Sequence, residues 1–349
     1  MNILFLYTQL GVGGAQKVII DLVNNLDEKN FKITLACDGG SRLFKINNNI
    51  KVTNIKFLNK SPIGIINSIV RLYKIVKEEN IDIIHSHHRY TTALANLIFI
   101  FNKNIKVIHT EHNVFPDKNF INLRGKNIIA VSNVVKDNLI KNRVKEKNIK
   151  LIYNGIKVEN NLNYTNNSDN IIKIGVIARL SKQKGHIYLL MALKNIINYM
   201  SNIKIFMIGD GEEKDNLLKF VNDNQLDKYV EFCGNVDDVL SIIPNFKFFV
   251  LPSEYEGLPI SILEIMSKKN IVIATDVGGN REIIEDDVNG FIIKPFSSKA
   301  LEDKILDISR RNDLDSLKEN AYNTILEKFS LENMIKLYSQ YYYEIGEKV

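Results

Sequence analysis

Short apolar runs alternate with amphipathic stretches along the whole chain. In the first half the runs fall at residues 3–7, 33–37, 52–57, 81–85, 107–109 and 128–131. Between several of them apolar residues recur at three- and four-residue intervals, as at 15–26 and 65–76, which predicts helices. The second half repeats the scheme with runs at 174–178, 203–208, 230–232, 248–251 and 271–274 and a helical pattern at 186–199. Strands joined by helical crossovers form a parallel sheet covered on both faces, so the pattern predicts two Rossmann-like α/β domains. The polar, aperiodic stretch 159–168 reads as a linker, which places the first domain at 1–165 and the second at 166–330. Ligands bind outside the carboxyl ends of such strands, so two domains facing each other are expected to hold a site in the cleft between them.

Length and composition agree with this reading and exclude others. The 349 residues make about two domains at roughly 150 residues each. Cys37 and Cys233 lie far apart with no CxxC pair, which argues against a disulfide framework and a cysteine-based zinc site. The longest apolar stretch, 93–101, is interrupted by Asn96 and is half the length needed to span a bilayer. The first seven residues lack a basic flank and read as a buried strand, not a signal peptide, so a cytoplasmic protein is expected.

Charge divides the chain. Residues 1–165 hold 24 Lys/Arg and 12 Asp/Glu, a net of +12, whereas the remainder holds 22 and 28, a net of −6. A basic half joined to an acidic one is expected to face an anion such as phosphate or a lipid surface. Lys136, Lys141, Arg143, Lys145, Lys147 and Lys150 are its densest cluster, and solvated lysines are the plainer reading of them. The basic residues are not interleaved with aromatics and no nucleic-acid motif is present, so nucleic acid is not an expected partner.

Candidate chemistry sits at the strand ends. Leu10-Gly11-Val12-Gly13-Gly14-Ala15-Gln16 follows the first strand and opens a helix whose N-terminal N–H groups suit an anion. A dinucleotide fold would carry a third glycine at Gln16, with Asp38 as its ribose-binding acid. After the run 174–178, Arg179 and Lys184 flank a second helix start, an arrangement suited to a diphosphate and equally to a charged surface. Gly209 and Gly211 end a further strand. Glu256 lies in the loop after the run 248–251, and Glu264 lies one helical stretch later beside Ile262, Leu263, Ile265 and Met266. A carboxylate among apolar neighbours is costly to bury without hydrogen bonds, which sugar or ribose hydroxyls would supply.

Glu256 and Glu264, separated by seven residues and enclosing Gly257-Leu258-Pro259, resemble the E-x7-E signature of family 4 of the retaining GT-B glycosyltransferases. Gly13-Gly14-Ala15, Tyr153-Asn154-Gly155, Arg179 with Lys184-Gly185, Gly209-Asp210-Gly211, Asp276-Val277-Gly278-Gly279 and Asn289-Gly290 agree in order and spacing, so the resemblance covers essentially the whole chain. It implies a GT-B fold whose last helix, at 331–345, crosses back to the first domain. It implies that Glu264 binds the donor ribose, that Glu256 holds hydroxyls of the transferred sugar, and that Arg179 and Lys184 neutralise the leaving diphosphate. Gly13, Gly14, Gly209, Gly211, Gly257 and Leu258 would line the donor, and His112 resembles the family histidine beside the sugar. The segment His85-Ser86-His87-His88 resembles a strand-end histidine segment near the acceptor. Many relatives carry an acid where Ala15 stands.

The implied activity is retaining transfer from a nucleoside diphosphate sugar, with a UDP-sugar expected, to a glycan or lipid-linked acceptor of bacterial surface polysaccharide or glycoconjugate. Neither a metal nor another cofactor is expected. Two rival readings are a nucleotide-sugar epimerase on the same plan, which needs a separate acid/base set, and a non-catalytic sugar-nucleotide-binding subunit.

Overall fold

Strand β1 (Asn2–Leu6) is buried over its last four residues, as befits the middle of a parallel sheet. β2 (Lys32–Cys37), β3 (Lys51–Asn54), β4 (Ile83–Ser86), β5 (Lys106–Glu111), β6 (Ile128–Ala130) and β7 (Ile149–Leu151) join it. All pairs are parallel, in the order β3-β2-β1-β4-β5-β6-β7. Helices α1 (Gly14–Asn25), α2 (Pro62–Glu78), α3 (Arg89–Phe101) and α4 (Asn133–Lys141) make the crossovers. Ser61 caps α2 by accepting from the Gly64 N–H, with Pro62 fixing the first turn.

The computed structural model describes residues 1–114, 127–159 and 171–346, which divide into two units, Met1–Asn154 with Leu331–Val349 and Gly155–Ser330. The expected boundary at 165/166 and most of the expected linker lie outside the described residues. In the second unit β8 (Ile172–Ile177), β9 (Ile203–Ile208), β10 (Val230–Gly234), β11 (Phe248–Leu251), β12 (Val272–Thr275) and β13 (Phe291–Ile293) form a parallel sheet in the order β10-β9-β8-β11-β12-β13. Helices α5 (His186–Ile196), α6 (Lys214–Asp223), α7 (Val239–Ile242), α8 (Ile260–Met266), α9 (Asn280–Ile283), α10 (Ser298–Arg310) and α11 (Asp315–Lys328) accompany it. Both sheets reverse direction of winding beside their first strand, between β1 and β4 and between β8 and β11, and such switch points are where open α/β sheets bind ligands.

Helix α12 (Leu331–Gly346) belongs to the first unit, as the sequence leads one to expect. Its buried face is Leu331, Met334, Tyr338, Tyr341, Tyr342 and Ile345, the three- and four-residue spacing of one helical stripe. Tyr342 packs edge-on to Phe5 and Phe31, and its hydroxyl meets His85 Nδ1 at 2.7 Å. His85 Nε2 meets Thr110 Oγ1 at 2.8 Å, which in turn lies 3.3 Å from the Tyr338 hydroxyl. The helix is thus fastened to β4 and β5 by polar groups that water cannot reach. Tyr342→Phe, which keeps the packing and orphans His85 Nδ1, should destabilise the first unit by about 1–3 kcal/mol. Urea unfolding followed by tyrosine-sensitive fluorescence checks this; an unchanged midpoint would show that the bond holds nothing.

Candidate functional site

The second unit gathers its chemistry at the β8/β11 switch point. Lys184, in the turn after β8, places Nζ 2.6 Å from Glu256 Oε1, and the Ser253 hydroxyl donates to the same oxygen at 2.6 Å. The Glu256 side chain is 5% exposed and that of Lys184 19%, so each charge is held largely away from water by the other.

The loops carrying this pair are laced together by backbone. The Glu254 N–H donates to the Gln183 carbonyl at 2.8 Å, and Gln183 Nε2 donates to the Tyr255 carbonyl at 2.9 Å. Thr275 Oγ1, at the end of β12, donates to the Ser253 carbonyl at 2.6 Å. Gly185 and Gly278 have φ of 64° and 53°, and a Cβ at either would fall about 2 Å from the carbonyl oxygen of Pro252 or of Glu256. The turn after β12 therefore closes on the Glu256 loop, and the Gly279 N–H donates to the Gly257 carbonyl at 2.9 Å.

Other expected residues take separate places. Arg179 is exposed and pairs with Glu212 at 2.9 Å. Gly209 and Gly211 let the end of β9 press against the carbonyls of Ala178 and Leu180, so their closest neighbours are strand-end backbone. Leu258, in the loop itself, is buried, and Glu264 sits half-buried in the second turn of α8.

At the β1/β4 switch point of the first unit, Gly13 and Gly14 are exposed at the start of α1. Leu10 is tied to the loop after β2 through bonds with Gly39 and Arg42, and Asp38 accepts from the Leu58 N–H at 3.1 Å. The acid that a dinucleotide fold would use is thus committed to a structural bond. His112 Nε2 and His87 Nδ1 share a hydrogen bond of 3.0 Å with rings stacked at 25°. His109 Nδ1 bonds Thr92, and Arg89 Nε donates to the buried Glu111 at 2.7 Å. Desolvation lowers His112 to about 4 against the pull of Glu111, and holds His85 and His87 well below the ordinary range. These imidazoles are neutral at physiological pH. Among the described residues no group of three or more His, Cys, Asp or Glu side chains is arranged to hold a metal ion.

Residues 12–160 match the family described as Glycosyltransferase Family 4, and residues 157–324 match Glycosyl transferases group 1. The chain belongs to glycosyltransferase family 4. It is 25% identical, over 92% of its length and 91% of the relative's, to the UDP-Gal:alpha-D-GlcNAc-diphosphoundecaprenol alpha-1,3-galactosyltransferase of Escherichia coli. It is 24% identical to the capsular polysaccharide biosynthesis glycosyltransferase CapH of Staphylococcus aureus, over 81% and 83% of the two chains. The crystal structure of Anabaena HepE in complex with UDP superposes with a TM-score of 0.84 at 21% identity, covering 99% of this chain and all of the other. The two parallel-sheet units are those of the GT-B fold, and the protein is a glycosyltransferase.

Against that family background, sequence reasoning passes over two residues of the site. Ser253 carries no charge or spacing that would single it out, yet it is the second donor to Glu256. His186 opens α5 two residues after Lys184, is 2% exposed, and has no hydrogen-bond partner on either ring nitrogen. Burial, aided by the charge of Lys184, lowers it to about 4.

Two measurements test this geometry. Lys184→Met leaves a buried carboxylate with Ser253 as its partner and should cost about 3 kcal/mol of stability, whereas Lys184→Met/Glu256→Gln should recover most of it. Additive losses in the urea unfolding of Lys184→Met, Glu256→Gln and the double variant would show that the pair is not coupled. The second concerns pH. A His186 held at about 4 when folded and near 6.5 when unfolded contributes stability that is present above pH 6.5 and lost as pH falls toward 4. The loss at pH 5 should be on the order of 2 kcal/mol. Thermal unfolding of the wild type and His186→Leu at pH 7.5 and pH 5 checks it, and the variant should show the smaller decline.

Proposed function

We propose that this glycosyltransferase moves a sugar from a UDP-sugar, with retention at the anomeric carbon, to a hydroxyl of a glycan or lipid-linked acceptor in bacterial surface polysaccharide or glycoconjugate biosynthesis, at the inner face of the cell membrane. The observation that carries the reading is the buried Lys184–Glu256 pair at the ligand-binding edge of the second unit's sheet. Support comes from the Escherichia coli relative, named for a UDP-galactose donor and a diphosphoundecaprenol-linked acceptor, and from the Anabaena neighbour solved with UDP.

The residues divide the work by charge. Lys184 Nζ has three donors and gives one to Glu256, so it can hold the carboxylate and a diphosphate oxygen together. Both donors to Glu256 converge on Oε1, which leaves Oε2 to accept from hydroxyls of the transferred sugar. Arg179 uses one terminal nitrogen on Glu212 and presents its remaining N–H groups to the diphosphate. Glu264 on α8 accepts from the ribose hydroxyls. His112, kept neutral, offers one nitrogen to the sugar while the other is engaged with His87.

In the reaction the bond from the anomeric carbon to the diphosphate oxygen breaks and a bond to the acceptor oxygen forms on the same face. The acceptor's proton passes to the departing diphosphate oxygen. The chain contributes fixed positive charge where negative charge grows, together with orientation of the two substrates. No metal or other cofactor is assigned a part, because the two cations meet that charge.

Calorimetric titration with UDP separates the two acids. Glu264→Ala should weaken UDP binding about tenfold or more, whereas Glu256→Gln should bind UDP normally and fail in transfer. Equal losses would exchange or merge the roles. In the same series Arg179→Ala should lower turnover by about 100- to 1000-fold, the usual cost of removing one charge-stabilising donor, and near-normal turnover would remove it from the diphosphate site.

A further inference from the structure

Eight of the twenty large apolar side chains exposed among the described residues lie between Leu58 and Phe101 of the first unit. Their arrangement is regular. On α2 the exposed apolar residues are Ile63, Ile66, Val70 and Tyr73, a three-four-three spacing that draws one stripe down the helix. The opposite stripe, with Ser68, Leu72, Ile75 and Val76, is the one buried against the sheet. A helix needs one apolar face to pack on its core, and α2 has two. Its neighbour α3 repeats the feature at its C-terminal end, where Leu97, Ile100 and Phe101 are exposed while Leu94, Ala95 and Ile98 face the core. The two helices pack side by side, so the exposed residues form one surface.

Cations surround it. Lys56, Lys60, Arg71, Lys74, Lys77 and Lys103 are all exposed, with Lys74 alone of them paired, to Glu78 at 3.6 Å among the described ion pairs, and residues 55–105 hold seven Lys/Arg against three Asp/Glu. Several lysine stems lie along this surface: Lys77 Nζ stands 5.7 Å from the Tyr73 ring centre, Lys103 Nζ 4.5 Å from that of Phe99, and Lys60 Nζ 5.4 Å from that of Tyr90. Long cationic side chains lying beside apolar ones can lift their charge to the headgroups while the apolar tips enter the acyl boundary. The expected lysine cluster after Asn133 lacks this combination. There Lys136 is paired with Glu146 and Lys150 with Glu344, and Ile140 is the exposed large apolar residue of α4.

We propose that the α2–α3 face is a docking surface for an anionic lipid bilayer, with its apolar stripe inserted and its lysines on the headgroups. The inference rests on the reading above that acceptors are met at a membrane, and it assigns that contact to a particular face. Crossover helices of a parallel sheet begin at the carboxyl edge of the strands, so the first turns of α2 and α3 lie at the edge that also carries His87 and His112. A bilayer on this face would present a lipid-linked acceptor at that edge. An apolar patch without the cations would fit a second copy of the chain equally well; the positive rim selects the lipid.

Co-sedimentation decides the matter, using vesicles of phosphatidylcholine alone and with one third phosphatidylglycerol, at low and high salt. The wild type should pellet with the anionic vesicles at low salt and remain in solution with the neutral ones. Ile66→Asp/Val70→Asp should reduce the bound fraction at least tenfold, and Lys74→Glu/Lys77→Glu should also abolish the preference for anionic lipid. Both pairs are exposed, so thermal unfolding and UDP titration should match the wild type. Failure of UDP binding with vesicle binding intact would sink the donor reading and leave docking standing. The docking proposal is overturned if the wild type ignores anionic vesicles, if the α2 variants bind as well as it does, or if Lys136→Glu/Lys141→Glu alone removes binding. It is also overturned if sedimentation velocity shows the α2 variants turning a dimer into a monomer with vesicle binding unchanged.

Discussion

A carboxylate as enclosed as that of Glu256 stays charged only if something charged stays with it, and much of the second unit's ligand-binding edge follows from that requirement. The partner, Lys184, is 72 residues away in sequence and arrives from the turn after a different strand. Holding an N–O separation of 2.6 Å between two loops demands that the loops not slide. They are accordingly joined through Glu254 to Gln183, through Tyr255 to Gln183 and through Thr275 to Ser253. The glycines at 185 and 278 are consequences of the same demand, since each sits where a Cβ would strike the carbonyl of the loop it braces. A rigid, prepaid ion pair of this kind suits chemistry in which negative charge appears on a leaving group, because its dipoles need not reorganise at the moment of reaction.

The first unit solves a different problem at the same topological position. Its edge collects five of the six histidines, a residue type that titrates close to neutral pH in water, and keeps several of them neutral by desolvation. A neutral imidazole has one nitrogen that gives a hydrogen bond and one that takes one. His85 finds partners for both in Tyr342 and Thr110, whereas His87 and His112 share a single bond and His87 Nε2 is buried without a partner. The C-terminal helix is therefore more than a covering layer. It carries the hydroxyl that satisfies a histidine beneath the site, which couples α12 to the polar core of the first sheet.

Strand identity was legible where burial is complete and the run is long. Nearly every run of apolar residues in the sequence became a strand within a residue or two, because both faces of a parallel sheet exclude water. β7 and β13 were not legible, since three residues such as Ile149-Lys150-Leu151 or Phe291-Ile292-Ile293 carry no period. The candidate residues were legible as types at strand ends, but their partners were not. Nothing local in the sequence pairs Lys184 with Glu256, turns Arg179 toward Glu212, or leaves both nitrogens of His186 unpartnered; these follow from strand order, which brings β8 beside β11.

Charge shows the same limit in sharper form. A net of +12 in residues 1–165 is a property of the sequence, but what a surface offers depends on which cations remain unpaired and on what lies between them. The densest lysine cluster, at 136–150, is partly neutralised by Glu146 and Glu344, one of them nearly 200 residues away. The stretch around α2 has fewer cations per residue and an apolar stripe that charge counting ignores. Attraction to an anionic surface falls within a Debye length and gives no orientation, whereas apolar insertion is short-ranged and fixes the face. Only where the two coincide does a helix specify how a protein would lie on a membrane, and among the described residues that coincidence is found at α2 and α3.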